Sequence, residues 1–546
     1  MKATVSVKVY TILSILAILC IVLLSACKKP PEAGTVGATT APENQLTLPL
    51  GPCADGHSYV DGFCNECGKE FSSEGLEYTL SEDGTYYIVS SIGSCKDLRI
   101  VIPSRYNNKP VKEIGSFAFG KTAIHEITLP DGITVIKEQA FFRCASLTRI
   151  NLPDSLEVIE REAFEDCTSL SGELRIPDKI TKIEYRTFYR CKSLESVILP
   201  EKLTSIGSNA FVALSRLREI SIPESVTYIG YDAFSKTKLD AVHITNFNAW
   251  CNIKFDTIES NPMAGYFNPK KEGTKLVING EAATAYVMGD EVKKINNYTF
   301  AGCSSLVKVV FTKNLEHIGN GAFYGCISLQ EAILPDSLTY LGYNAFEDCS
   351  SLAEVRLSDS LTQILVKTFS GCSSLKSIEI PDKVSTIHPH AFSNCDRLTF
   401  VKLPDGLRKI PSSMFENSSA LTEIHLPDSV TEIGERAFYN CIALKYVKFG
   451  KFIEQIMEDT FHGCESLTEI SIPDGVKILG NGSFSGCSNL IKIELPGSLE
   501  EIGSYTFIYC NSLSEIIFDG TLSEWNNIKK GESWAPDNTK YTVKCK

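Results

Sequence analysis

Four residues near the start of the chain have the types and spacing to hold a metal: Cys53, His57, Cys64 and Cys67, in the pattern C-x3-H-x6-C-x2-C. Three thiolates and one imidazole complete a tetrahedral zinc site with no position left open for a substrate, so its role would be structural. The turn residues Asp61-Gly62 and Gly68 let so short a segment fold round an ion. Residues 51–72 have no core of their own, so metal binding would supply their folding energy. With a single C-x2-C and an oxidising compartment, a disulfide or unpaired thiols remain alternatives to zinc.

A second kind of chemistry is expected at Cys27. Lys2 and Lys8 flank the start of an apolar run from Val9 to Leu24, followed by Leu24-Ser25-Ala26-Cys27. The run is short for a bilayer span. Small residues before a Cys resemble the lipobox of bacterial lipoproteins, which implies cleavage after residue 26 and a diacylglycerol on the Cys27 sulfur. Acyl chains at about 0.8 kcal/mol per buried methylene then hold the protein to the outer leaflet of the cytoplasmic membrane, or to another envelope membrane, without a spanning helix. An uncleaved signal anchor is the alternative. It fits poorly with the polar, Pro-containing stretch from Lys28 to Pro42, and residues 27–50 read as a flexible stalk.

Catalytic signals are weak. Gly115-Ser116-Phe117-Ala118-Phe119-Gly120-Lys121-Thr122 matches G-x4-G-K-[ST], the phosphate-loop pattern, but Ile124 to Leu129 reads as a strand and not as the helix such a loop opens. The match is taken as accidental, with no nucleotide expected. No H-E-x-x-H, G-x-S-x-G or EF-hand spacing occurs, and the protein is not expected to be an enzyme. With 53 Lys and Arg against 66 Asp and Glu, a net charge of −13, the chain has no basic stretch suited to nucleic acid.

The elements that must carry these residues come from a repeat. Sixteen Phe, from Phe119 to Phe507, recur at steps of 22 to 24 residues, except for one step of 66 between Phe234 and Phe300. Counting from that Phe, Cys stands at +3 in twelve units, aliphatic residues favour +6, +9, +11, +15 and +18, and Pro often follows at +12. Alternation over +8 to +11 predicts a short strand that Pro ends. A second extended piece, such as Val430 to Gly434, precedes the next Phe. One coil cannot bury its own apolar side, whereas stacked coils can, with Phe on Phe and Cys on Cys. Some eighteen coils at about 4.8 Å would make a curved rod on the order of 85 Å. The Cys column is expected to be buried, reduced thiol, since Leu214 and Ser418 replace Cys in it and parallel side chains have poor geometry for a disulfide.

The unit Ser466 to Leu490, with its Leu467-Thr468-Glu469-Ile470-Ser471-Ile472-Pro473-Asp474 strand and turn, resembles the BspA-type leucine-rich repeat of bacterial surface proteins. The resemblance implies a β-rich repeat solenoid of about 23-residue coils, with short turns and little helix. Together with the readings above, it divides the chain into a signal peptide (1–26), stalk (27–50), Cys/His segment (51–72), N-terminal cap (73–110), solenoid (111–518, with irregular coils at 235–299) and C-terminal cap (519–546). It also implies protein binding, with adhesion to host proteins or cells as the associated role.

If +9 and +11 point inward, +8 and +10 form an exposed face. Eight Glu make the +8 column largely acidic. Phe400 and Tyr446 interrupt it two coils apart, with Glu423 between them and Lys402, His425 and Lys448 at +10. Exposed aromatics rimmed by cations suit a partner-binding hot spot, and packing of the two rings against a loop is the competing expectation. The expected function is that of a lipid-anchored, extracytoplasmic surface protein binding an unknown protein, which could come from a host. A carbohydrate or mucin binder and a passive envelope spacer are the alternatives.

Overall fold

In the computed structural model the described residues are 59–60, 63–64, 72–265, 273–535 and 541–546. Cys27, Cys53, His57 and Cys67 lie outside them. Two units are distinguished, residues 1–70 and 71–546. In the first, strands Tyr59–Val60 and Phe63–Cys64 pair antiparallel, with Cys64 opposite Tyr59.

The second unit is a stack of coils joined by two parallel ladders, each interrupted at some steps along the stack. One ladder uses the +8 to +10 residues, as in Lys308–Val310, Glu331–Ile333 and Glu354–Arg356. The other uses two residues at +17 and +18: Lys409–Ile410, Glu432–Ile433, Gln455–Ile456, Ile478–Leu479 and Glu501–Ile502 run in register, and Lys529–Lys530 completes a six-stranded sheet. The strands are short because each coil must turn several times within about 23 residues, and Pro at +12 removes a donor where the first ladder ends. Residues at both ends continue the ladders: Arg99–Val101 pairs with Glu126–Thr128, and Thr542–Cys545 pairs with Glu515–Phe518.

The third side of each coil carries Phe and has no strand. There, residues at −2 and +2 take positive φ in most coils, Arg186 (53°), Arg190 (59°) and Ala213 (59°) among them. Alternate amides still reach the next coil, as Phe119 N–H donates to the Ala140 carbonyl at 2.9 Å and Lys121 N–H to that of Phe142 at 2.7 Å. This places successive Phe rings face to face: Phe323 and Phe346 lie 5.1 Å apart at 1°, and Phe346 and Phe369 5.5 Å apart at 2°. Offset stacking of this kind adds to the gain from burying each ring.

The Cys column is buried, and its described thiols are free. Beyond packing, all the column thiols except Cys303 bond to the coil before them. Cys326, Cys349, Cys372, Cys441 and Cys487 donate S–H to the carbonyl of the preceding coil's Phe at 3.1–3.2 Å. Ser418 repeats the bond to the Phe392 carbonyl at 3.0 Å, and Thr237 to that of Phe211 at 2.6 Å. Burial pushes the thiols of Cys191, Cys395 and Cys441 up from their ordinary range.

The 66-residue step contains modified coils. A six-residue helix, Phe247–Asn252, capped by the Asn246 side chain, buries Phe247, Trp250 and Cys251. Trp250 donates its indole N–H to the Thr299 carbonyl at 2.8 Å, which locks the helix to the coil beyond it. Phe247 stacks on Tyr286 at 3.7 Å and, with it, fills the gap in the Phe column next to Phe300. A second six-residue helix, Leu522–Asn527, closes the far end with a capping box between Thr521 and Glu524.

Candidate interaction groove

The first ladder is interrupted on part of its length. Phe400–Lys402 pairs with Ser377–Glu379, and Glu423–His425 pairs with Tyr446–Lys448, but no ladder joins the two pairs. Where pairing is intact, Ile380 N–H reaches the Lys402 carbonyl at 3.0 Å and Leu426 N–H the Lys448 carbonyl at 2.8 Å. At the seam, Leu403 N–H makes no such bond with a described residue. Similar seams follow Glu354–Arg356 and Tyr446–Lys448.

At this seam a groove of about 340 Å³ opens, lined by Phe400, Lys402, Asp405, Glu423, His425, Asp428 and Lys448 together with the apolar residues between them. Five of the six residues expected at a partner site therefore meet in one depression. The sixth, Tyr446, stands beside it with its ring edge-on to His425 at 6.0 Å. Phe400 is 47% exposed and Tyr446 53% exposed, so neither ring is packed under a loop. Their outward direction follows from the strand, since Val401 and Val447 between the flanking residues are buried.

The charges are unevenly matched. Lys402 lies 3.8 Å from Glu379, and Lys451 holds Asp428 at 2.7 Å, which keeps that carboxyl below its usual range. Lys448 and His425 make no ion pair with a described residue. Two features of the face escaped the sequence reading. Phe452, beside Lys451, is 63% exposed at +14, a position held by Ser or Gly in most neighbouring coils. Val287, Val310 and Ile333, at +10 in three successive coils, are exposed as well. Departure from the column consensus was the available signal for Phe452.

The remaining motifs take no part in catalysis that the geometry supports. In the stretch from Gly115 to Thr122 the amides of Phe117, Ala118, Phe119, Gly120, Lys121 and Thr122 all donate to backbone carbonyls. A phosphate loop needs such amides free to meet its ligand, and the next element is the strand Glu126–Thr128. Ser221 is the cross-strand partner of His243, near a second groove of about 170 Å³, yet the imidazole bonds to Glu219 at 3.0 Å and no hydrogen bond joins it to Ser221. Among the described residues no cluster of His, Cys, Asp and Glu is arranged to hold a metal ion.

Comparison with known proteins agrees with the coil geometry. The sequence profile of the BspA type Leucine rich repeat region matches in six copies over residues 112–241, 293–422 and 408–528, more than half of the chain. Its gap falls on the modified coils around Trp250. No curated protein matches. Among solved structures, a leucine-rich repeat protein from Bacteroides ovatus ATCC 8483 is 27% identical over 79% of this chain and 96% of its own, with a TM-score of 0.46. A leucine rich cell surface protein from Faecalibacterium prausnitzii A2-165 is 23% identical over 84% of this chain and 97% of its own, with a TM-score of 0.30. A leucine-rich repeat protein from Eubacterium ventriosum ATCC 27560 is 21% identical over 68% of this chain and 93% of its own, with a TM-score of 0.41.

Proposed function

The chain belongs to the BspA-type leucine-rich-repeat family, and from that premise we propose that it is a surface scaffold whose solenoid binds another protein through the strand face at the Phe400 groove. The observation that carries this reading is the exposed pair Phe400 and Tyr446, set on rigid strands either side of Glu423 and His425. Large rings held in place by buried neighbours lose little freedom on binding, which is why aromatic residues dominate interface energies. Adhesion to a host protein is the form of this activity we favour.

The carbohydrate alternative has less support. Stacking on sugars calls for exposed aromatic platforms, and of the three Trp, Trp250 and Trp525 are buried and Trp534 is partly buried against Phe507. Attachment through a diacylglycerol on Cys27, and a structural zinc ion on Cys53, His57, Cys64 and Cys67, are part of the same proposal. They supply anchorage and a folded base for the solenoid. Among the described residues no helix is long and apolar enough to cross a membrane.

The test is binding of the full chain to a panel of purified extracellular-matrix proteins, mucin and glycans, followed by Phe400→Ala/Tyr446→Ala. Truncating both rings should weaken binding of a protein ligand by about 1–3 kcal/mol while leaving the melting temperature in place. A double variant that melts earlier and binds normally would refute the assignment.

A further inference from the structure

The identity of the partner can be narrowed if the groove is the protein-binding surface proposed above. Lys402, His425 and Lys448 occupy the +10 position of three successive coils. His425 and Lys448 stand on paired strands at about 4.8 Å, Lys402 stands across the seam from them, and all three line the groove. In a chain of net charge −13 this cationic set is under-neutralised: Glu379 reaches Lys402 only at 3.8 Å, and neither His425 nor Lys448 has an ion-pair partner among the described residues. Of the other two acids lining the groove, Asp428 is held by Lys451 at 2.7 Å and lies within the field of Lys448, and Asp405 makes no ion pair with a described residue. The seam adds the amide of Leu403, a buried residue that lines the groove, bonded to no described acceptor.

We infer that the groove takes a carboxylate side chain of an extended protein segment, with apolar side chains on either side of it resting on Phe400 and Tyr446. Glu423 sets the register. It stands between the two rings in the +8 row, so an incoming acid is repelled there and directed to the +10 row, where the cations stand. The rings then remain for the neighbours of that acid. A sulfated glycan would satisfy the cations but has no apolar side chains to cover two rings placed on opposite sides of an acidic residue. An extended acidic and aromatic or aliphatic segment satisfies both rows.

The probe is a phage-displayed dodecapeptide library panned on the immobilised full chain, with recovered sequences synthesised carrying fluorescein and measured by fluorescence polarisation. Asp or Glu beside an aromatic or aliphatic residue should be enriched. Affinity should fall at least tenfold in Phe400→Ala/Tyr446→Ala and in Lys402→Glu/Lys448→Glu, and panning on the latter should select Lys or Arg instead. Lys402→Gln/Lys448→Gln, which removes charge without adding acid to an acidic face, should fall between the two. Peptides that lose binding with the rings removed, show no acidic enrichment and bind the charge-reversed chain equally would overturn this inference while leaving the groove as a protein site. Peptides indifferent to all these variants would overturn both. A heparin oligosaccharide that displaces every recovered peptide would assign the cationic row to a glycan and overturn the peptide assignment.

Discussion

Replacing Cys441 by Ala and by Ser separates the two roles of the thiol column. Cys441 is fully buried and donates to the Phe415 carbonyl at 3.2 Å, while that carbonyl also accepts Ser418 N–H at 2.9 Å. Ala leaves a void on the order of one sulfur atom, roughly 25 Å³, which at about 24 cal/mol per Å³ costs roughly 0.6 kcal/mol. Lost transfer energy adds about 0.8 kcal/mol, and loss of one of two donors to the carbonyl about 0.5 kcal/mol. The sum is about 2 kcal/mol. Ser keeps the donor, as Ser418 does one coil earlier at 3.0 Å, and should cost about half as much or less. The assay is urea unfolding of the full chain followed by circular dichroism. Hydrogen exchange over residues 415–470 should accompany it, because a solenoid can open locally without unfolding throughout. Equal losses for Ala and Ser would refute the hydrogen-bonding role and leave packing alone. Ser418→Cys, expected to be neutral or stabilising, gives an independent check.

Ala213 holds φ at 59° without a side chain that could bond locally, so Ala213→Gly should raise stability by about 0.5–1 kcal/mol in the same unfolding assay, the relief of left-handed strain outweighing Gly entropy. Cys27→Ala should abolish acylation and shift the protein from the membrane to the aqueous fraction on detergent phase partition; full retention with membranes would count against the anchor. About one zinc per chain should be found by elemental analysis of reduced protein and should be lost in Cys64→Ser/Cys67→Ser.

The repeat made much of the fold legible before any coordinates. Because most coils present Phe, Cys and aliphatic residues at the same positions, the columns had to be core, and Phe346, Cys349 and Ile364 are buried accordingly. Strand alternation likewise placed Phe400, Glu423 and Tyr446 outward, since a period of two leaves no other face once Val401, Ile424 and Val447 are inside. The strand read after the phosphate-loop match is present as Glu126–Thr128.

Other features depend on relations between coils, which no single coil encodes. Arg186 and Arg190 accept left-handed backbone because their own amides and that of Phe188 are fixed by carbonyls of the next coil, although Gly or Asn would be the local preference. The Cys column read as packing until the thiols were seen to face the preceding Phe carbonyls, a partner about 26 residues away in sequence. Trp250 closes the modified coils by bonding to Thr299, across 49 residues. The groove belongs to this second class. Its residues were recognisable as an exposed set, but the seam between Phe400–Lys402 and Glu423–His425 lies in how two neighbouring strands align. Residue types settled which side chains face outward, while the alignment of one coil on the next decided that a depression opens among them.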